Sequence, residues 1–265
     1  GRHASVFKTY PAEDFPSLPP LAAGESFSLP APSLSGGLKS VSYSAASSEI
    51  KPEIASVYLT VADGDAVFVA TDSFRLAEKK LSPDQTIAGE PKLIIPIRNV
   101  AEILRVFDGS TETVTISYNA HQVSFTAPGV YLTSRLVDGV FPDYRQIMPI
   151  GAQTVAVVLK ADLASALKLA SVFSDRFNQV NLRLALKENL LEVSAKDQDV
   201  GEHTTQLDAT LQGEDLEISF NVKYLLDCFS SLPGDSVSLR FNGRSKPILV
   251  SAVGDNSFNY LIMPL

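Results

Sequence analysis

The sequence predicts an α+β protein built as two tandem copies of one domain, and three observations predict it. The first is internal repetition. Phe15-Pro16 in TYPAEDFPSL recurs 126 residues later as Phe141-Pro142 in RLVDGVFPDY. Asp72 in VATDSFRLAE is matched by Asp197 in VSAKDQDVGE at an offset of 125, Pro96 by Phe220 at 124, and Tyr43-Ser44 by Phe173-Ser174 at 130. Each match is weak alone, but a shared order at a near-constant offset makes them strong together. A unit of about 125 residues is longer than a solenoid repeat and large enough for its own core. The second observation is a series of short runs that alternate apolar and polar residues between turn residues, the strand signature. The third is a set of segments with apolar residues at i, i+3, i+4 and i+7, the helix signature. Several antiparallel strands and about two helices in each copy read as helices packed on one face of a sheet.

In chain order, prolines and glycines between Pro11 and Gly37 mark residues 17–25 as a linker, and Phe27 and Leu29 begin a strand. Gly36-Gly37, with no Lys-Ser/Thr after it, reads as a loop rather than a phosphate cradle. SVYLTVADGDAVFVATD is a hairpin: Val57, Leu59 and Val61 alternate with polar residues, Asp63-Gly64 turns the chain, and Val67 and Val69 follow. Residues 93–97 form a strand. Residues 98–109 form a helix with Val100, Ile103, Leu104 and Phe107 on one face and Gly109 at its end. Residues 113–127 are a hairpin turning near Asn119, and 130–137 a strand. The second copy repeats the order. A strand at 155–159 leads to a helix at 160–174, with Leu163, Leu167, Ala170 and Phe173 inward and Asp162 as N-cap. A hairpin at 181–195 turns at Lys187-Glu188-Asn189. A strand at 216–220, a helix at 221–232 and strands at 236–241, 247–252 and 258–263 complete the unit.

With 45% hydrophobic residues, the chain has the composition of a packed protein rather than a disordered one. No apolar run approaches the ~18 residues that span a bilayer, and GRHASVFKTY has no signal-peptide core. The single cysteine, Cys228, forms no internal disulfide and suits a reducing cytoplasm; on an apolar helix face it reads as a core residue rather than a nucleophile. His3, His121 and His203 lack metal-ligand spacing. There is no GxSxG, Walker A or GxGxxG, and Asp197 with Asp199 reads as a solvated loop. The expectation is therefore no enzyme, no cofactor and no metal. A net charge of −8 argues against a general nucleic-acid coat but permits positive charge confined to one face.

Three stretches carry a family resemblance: VATDSFRLA (69–77), SRLVDGVFPDYRQIMP (134–149) and YLIMPL (260–265). They are similar to the patterns A-T-D-x-x-R-L-A, S-[RK]-L-x-D-G-x-F-P-D-Y and Y-[VL]-[VIL]-M-P of the bacterial DNA polymerase III β subunit, the sliding clamp. The match is collinear over essentially the whole chain. The resemblance implies one fold repeated along the chain, with residues 1–20 as the last strand of a first domain, 21–150 as the second domain and 151–265 as the third. Most of the first domain is then not in this sequence. It also implies a head-to-tail homodimer that closes a ring around double-stranded DNA in the cytoplasm, at the nucleoid, and acts as a processivity factor without catalysis. Such a ring needs no base readout, only modest positive charge toward phosphates. The cations expected to supply it are Lys39, Arg98, Arg105, Lys160, Lys168, Arg176 and Lys223. The alternative is a non-ring peptide-binding adaptor built from the same domains.

In that family, a cleft between the second and third domains holds an extended peptide resembling Q-L-x-L-F from polymerases, the clamp loader and repair proteins. Carried over position by position, its lining from the second domain is Ile54, Thr71, Ser73, Phe74, Arg75, Leu76, Pro142, Gln146 and Ile147. From the third domain it is Phe177, Asn221, Tyr224, Ser245, Pro247, Leu261, Ile262, Met263, Pro264 and Leu265. Leu76, Pro142, Ile147, Ile262 and Met263 are expected as the apolar floor and Arg75 as the side that orients the cleft. Tyr224, Asn221 and Phe177 are expected toward the leading glutamine. The chain departs from the family at Ser73-Phe74, where glycine and histidine are common, and at Gln146, where many members carry arginine. It also departs at Leu265, where the usual ending runs on, and this is expected to weaken one edge of the cleft.

Overall fold

The computed structural model describes residues 1–14, 21, 24–83 and 90–265. The first unit runs β1 (Glu25–Pro30), α1 (Ala31–Ser42), β2 (Ser56–Ala62), β3 (Asp65–Thr71), β4 (Arg75–Leu81), β5 (Lys92–Pro96), α2 (Ile97–Phe107), β6 (Thr113–Tyr118), β7 (Gln122–Ala127) and β8 (Val130–Arg135). The second runs β9 (Thr154–Leu159), α3 (Lys160–Val172), β10 (Gln179–Ala185), β11 (Leu190–Asp197), β12 (Gly201–Asp208), a short β13 (Thr210–Gln212), β14 (Leu216–Asn221), α4 (Val222–Asp227), β15 (Ser236–Phe241), β16 (Ile248–Ala252) and β17 (Phe258–Ile262). Apart from β13, the two units match element for element, as the repeat requires. Tyr43 and Phe173 cap α1 and α3, while Asp72 follows β3 and Asp197 ends β11. The first member of the Phe-Pro pair, Phe15-Pro16, lies outside the described residues.

Local chemistry explains most elements. Asp63 and Gly64 both take left-handed backbone, at φ 54° and 86°, which matches the twist of the flanking strands and makes the β2–β3 hairpin tight. α2 turns Val100, Ile103 and Phe107 inward, and α3 turns Leu163, Ala166, Leu167 and Ala170 inward.

Other expectations are corrected. Gly36-Gly37 is not a loop; both residues lie inside α1. A Cβ on Gly37 would stand 2.5 Å from the Phe68 ring, so glycine is what lets α1 approach β3, and that contact outweighs glycine's cost in a helix. Asp162 is not the N-cap of α3, because the helix already begins at Lys160 with Leu159 as its cap; the carboxylate sits in the first turn, where it complements the helix dipole. The helix expected over 221–232 is α4 followed by a 3-10 turn at Cys228–Ser230. Residues 1–14 form only a 3-10 turn at Ala12–Asp14. No described strand pairs with them.

Strands β13-β9-β15-β16-β17-β4-β3-β2-β5 form one sheet that runs through both units. The two halves meet at the antiparallel pair β17–β4, with Leu261 opposite Leu76 and Ile262 opposite Arg75. The other sheets are β1-β6-β7-β8 and β12-β11-β10-β14. By the repeat, β12 is the counterpart of β4 and β8 the counterpart of β17. The strands equivalent to the two that meet at the joint are therefore free edges of their sheets among the described residues.

Strand alternation decides what each side of the joint contains. Ala77, Tyr260 and Ile262 face the main core shared with the helices. Leu76 and Leu261 face the opposite side, where Phe141, Tyr144 and the partly buried Met148, from the segment after β8, cover them. Ile262 is fully buried in the core and is not part of a cleft floor.

Candidate functional site: a cleft across the joint

The turn between β3 and β4 is fixed by its own side chains. Asp72 Oδ1 accepts the backbone N–H groups of Phe74 and Arg75, both at 3.0 Å. Thr71 Oγ1 accepts the Ser73 N–H at 3.1 Å and donates to the Arg75 carbonyl at 2.6 Å. Ser73 is held at φ 79°, a left-handed conformation that favours glycine. The turn leaves Phe74 62% exposed.

The end of the chain is tied to the same turn. The Met263 N–H donates to the Phe74 carbonyl at 2.8 Å, extending the β17–β4 ladder, and the Leu265 N–H donates to the Ser219 carbonyl at 3.0 Å. A third segment closes the cleft from above the sheet. Its 3-10 turn, Tyr144–Ile147, is anchored where the Tyr144 hydroxyl donates to buried Glu78 at 2.8 Å, and it leaves Pro142 and Ile147 exposed at the mouth.

These segments enclose a cavity of about 170 Å³. Its walls are Ile54, Thr71, Ser73, Phe74, Arg75, Leu76, Pro142, Ile147, Pro247, Leu261 and Met263, all named from the sequence, together with Asp143 and Tyr144, which were not. The missed pair stands in the same F-P-D-Y stretch, between two named residues. The cavity is smaller than the ~300–1,000 Å³ of typical small-molecule sites. It has room for side chains of an extended peptide.

The remaining named residues lie elsewhere. Gln146 is exposed and donates to Asp143 at 2.8 Å. Ser245 is exposed in the turn before Pro247, and Pro264 and Leu265 continue beyond Met263. Asn221 caps α4, accepting the N–H groups of Lys223 and Tyr224, and donates to the Phe177 carbonyl at 3.2 Å. Phe177 is exposed and lies under the Arg176 guanidinium at 4.8 Å. Tyr224 packs face-on against Arg75 at 4.5 Å.

Arg75 lines the cavity, and its guanidinium fastens the two units together. Its Nε donates to Asp72 Oδ2 at 3.0 Å, one terminal nitrogen to Asp227, and the other to the Tyr43 carbonyl at 2.6 Å. Asp72 and Tyr43 belong to the first unit, Asp227 and Tyr224 to the second. Burial works to lower the Arg75 pKa, but Tyr260, Asp227 and Asp72 outweigh it and hold the guanidinium above its usual range. Burial pushes the Tyr260 phenol up, so its hydroxyl stays protonated and donates to the Tyr224 carbonyl at 3.0 Å.

Six of the seven named cations lie on helices: Lys39 on α1, Arg98 and Arg105 on α2, Lys160 and Lys168 on α3, and Lys223 on α4. Arg176 sits beyond the end of α3 instead. Lys39, Arg98 and Arg105 pair with Asp108, Glu49 and Glu102, and Lys160 donates to the Leu232 carbonyl at 2.7 Å. Among the described residues no group of three His, Cys, Asp or Glu could hold a metal ion. Cys228 is fully buried, and burial pushes its thiol pKa up.

Comparison with known proteins gives a consistent set of relatives. Family models of the DNA polymerase III beta subunit match residues 28–143 (central domain) and 145–265 (C-terminal domain). The beta sliding clamp of Synechococcus elongatus is 31% identical over 258 residues, covering 96% of this chain and 69% of that protein. A Bacillus subtilis DNA polymerase sliding clamp superposes with a TM-score of 0.90 at 29% identity, over 96% of this chain and 67% of that one. A Pseudomonas aeruginosa sliding clamp bound to griselimycin superposes with a TM-score of 0.91 at 26% identity, over 97% of this chain and 69% of that one.

Proposed function

Because this chain belongs to the DNA polymerase III beta subunit family, the sliding clamps of DNA replication, we propose that the cleft across β4 and β17 is where it holds its protein partners. The chain is a processivity clamp, and family membership favours this over a stand-alone adaptor. The observation that carries the cleft reading is the cavity itself. Leu76, Pro142, Ile147, Leu261 and Met263 offer apolar contact to a leucine and a phenylalanine. The occupants are Q-L-x-L-F-like segments of DNA polymerases, the clamp loader and repair proteins. The protein acts as a tether and not as an enzyme.

We also propose that the protein works as a homodimeric ring around double-stranded DNA in the cytoplasm. Support comes from the free edges β8 and β12, the counterparts of the strands that meet at the joint. Repeating the β17–β4 pairing at both edges, with β8 meeting the preceding domain of its own chain and β12 meeting the partner chain, closes a ring instead of ending in open edges. The domain limits consistent with this are 21–150 and 151–265, with 1–20 as the end of a preceding domain. Lys39, Arg98, Arg105, Lys160, Lys168 and Lys223 face phosphates from the helices. Three of them share their charge with carboxylates, which keeps each contact weak enough for sliding. The assembled dimer is expected to remain on circular duplex DNA and to be lost once that DNA is linearised. Equal retention on both forms would contradict the ring.

A further inference from the structure

Among the described residues, Glu78 is the one carboxylate buried beneath the cleft, with its side chain 5% exposed. It lies on the face of β4 that carries Leu76, within an otherwise apolar cluster of Val69, Leu76, Tyr144 and Leu261. Its partners come from three places. Tyr144 Oη donates to Oε2 at 2.8 Å, Asn259 Nδ2 on β17 donates to Oε1 at 3.1 Å, and Lys80 Nζ stands 3.6 Å from Oε1. A carboxylate in such a place carries a desolvation cost and is a poor way to gain stability. What it supplies is direction, because it fixes one hydroxyl of the covering segment against both strands of the joint.

Tyr144 is also a partition. It lines the 170 Å³ cleft and, with Pro142 and Asp143, a neighbouring outer cavity of about 530 Å³ bounded by Tyr58, Lys92 and Phe141. We infer that Glu78 is a positioning residue for partner binding. It holds Tyr144 as the wall between the two cavities, and through the Tyr144–Ile147 turn it sets Pro142 and Ile147 at the mouth of the cleft. This rests on the reading of the cleft as a peptide site.

The test is a polarisation titration of a labelled Q-L-x-L-F peptide, with thermal unfolding measured on the same samples. Glu78→Leu removes the acceptor and puts an apolar side chain of similar size in its place, so affinity is expected to fall about tenfold, the size of one charge-assisted hydrogen bond. Tyr144→Phe removes only the hydroxyl and is expected to cost a similar factor. The double variant is expected to be no weaker than Glu78→Leu alone, because that substitution already breaks the bond to Tyr144. Glu78→Gln is expected to stay within about twofold of wild type. Its carbonyl still accepts from Tyr144, and a flip of the Asn259 amide satisfies the new NH2. Wild-type affinity in Tyr144→Phe and Glu78→Leu would overturn the inference, as would a loss in proportion to a lowered melting temperature that Glu78→Gln fails to rescue. Should Glu78→Leu not fold, Tyr144→Phe decides alone. A wild-type protein that binds no peptide overturns the cleft reading itself, which is a separate result.

Discussion

Replacing Arg75 with alanine is expected to destabilise the protein by roughly 3 kcal/mol, the cost of stranding a buried charge partner, and to weaken peptide binding with it. The Arg75 and Asp72 side chains are 11% and 14% exposed, so this pair dominates. Asp227 is 43% exposed, and its share is largely screened by water. The substitution leaves the Asp72 carboxylate half-satisfied, frees the Tyr43 carbonyl and removes the cation from the Tyr224 ring. Because Asp72 also shapes the turn that carries Ser73 and Phe74, the damage reaches the cleft wall. Arg75→Lys is expected to recover less than half of the loss, since a point charge cannot serve three acceptors in a fixed fork. Urea unfolding of the three proteins measures this. Near-identical midpoints would mean that the joint is held by β17–β4 pairing and apolar contact alone.

The second large effect is a contrast between two adjacent glycines. Gly37→Ala is expected to destabilise by about 1–3 kcal/mol, the usual cost of overpacking. Its Cβ would stand 2.5 to 2.8 Å from atoms of the Phe68 ring, which is fully buried and has nowhere to move. Gly36→Ala meets nothing within 4 Å and is expected to stabilise by about 0.5–1 kcal/mol, the helix propensity difference. Thermal melts of opposite sign would establish that α1 is seated on β3 through Gly37. Two stabilised variants would mean that it is not.

The difference between those glycines also shows where sequence reasoning stops. Apolar spacing revealed α2 and α3, and Asp63-Gly64 revealed the hairpin, because those signals are local. α1 was hidden because its Pro-Gly-Gly composition is a loop signal, and the reason for its glycine is a ring on a strand far along the chain. β4, with sequence RLAEKKL, carries too many charges to read as a strand, and the burial of Glu78 depends on Tyr144 and on Asn259 from the other unit. The cleft wall came from family resemblance rather than from periodicity. Even so, alternation along Tyr260, Leu261, Ile262 and Met263 was available, and it separates the two that line the cavity from the two that fill the core. The repeat was legible from the start, and it explains why β12 and β8 are the counterparts of the two strands that meet at the joint.

The most direct test of the central claim, that the joint between the two units is a peptide-binding cleft, is a polarisation titration with a labelled Q-L-x-L-F peptide against wild type and Met263→Ala. Met263 is 40% exposed on the cavity wall, so its truncation removes apolar contact with little effect on the core. The account predicts saturable binding in the micromolar range by the wild type, weakened about tenfold or more in the variant, as for the loss of a central apolar anchor. Saturable binding of equal strength by both proteins, or no binding by a folded wild type, would contradict it.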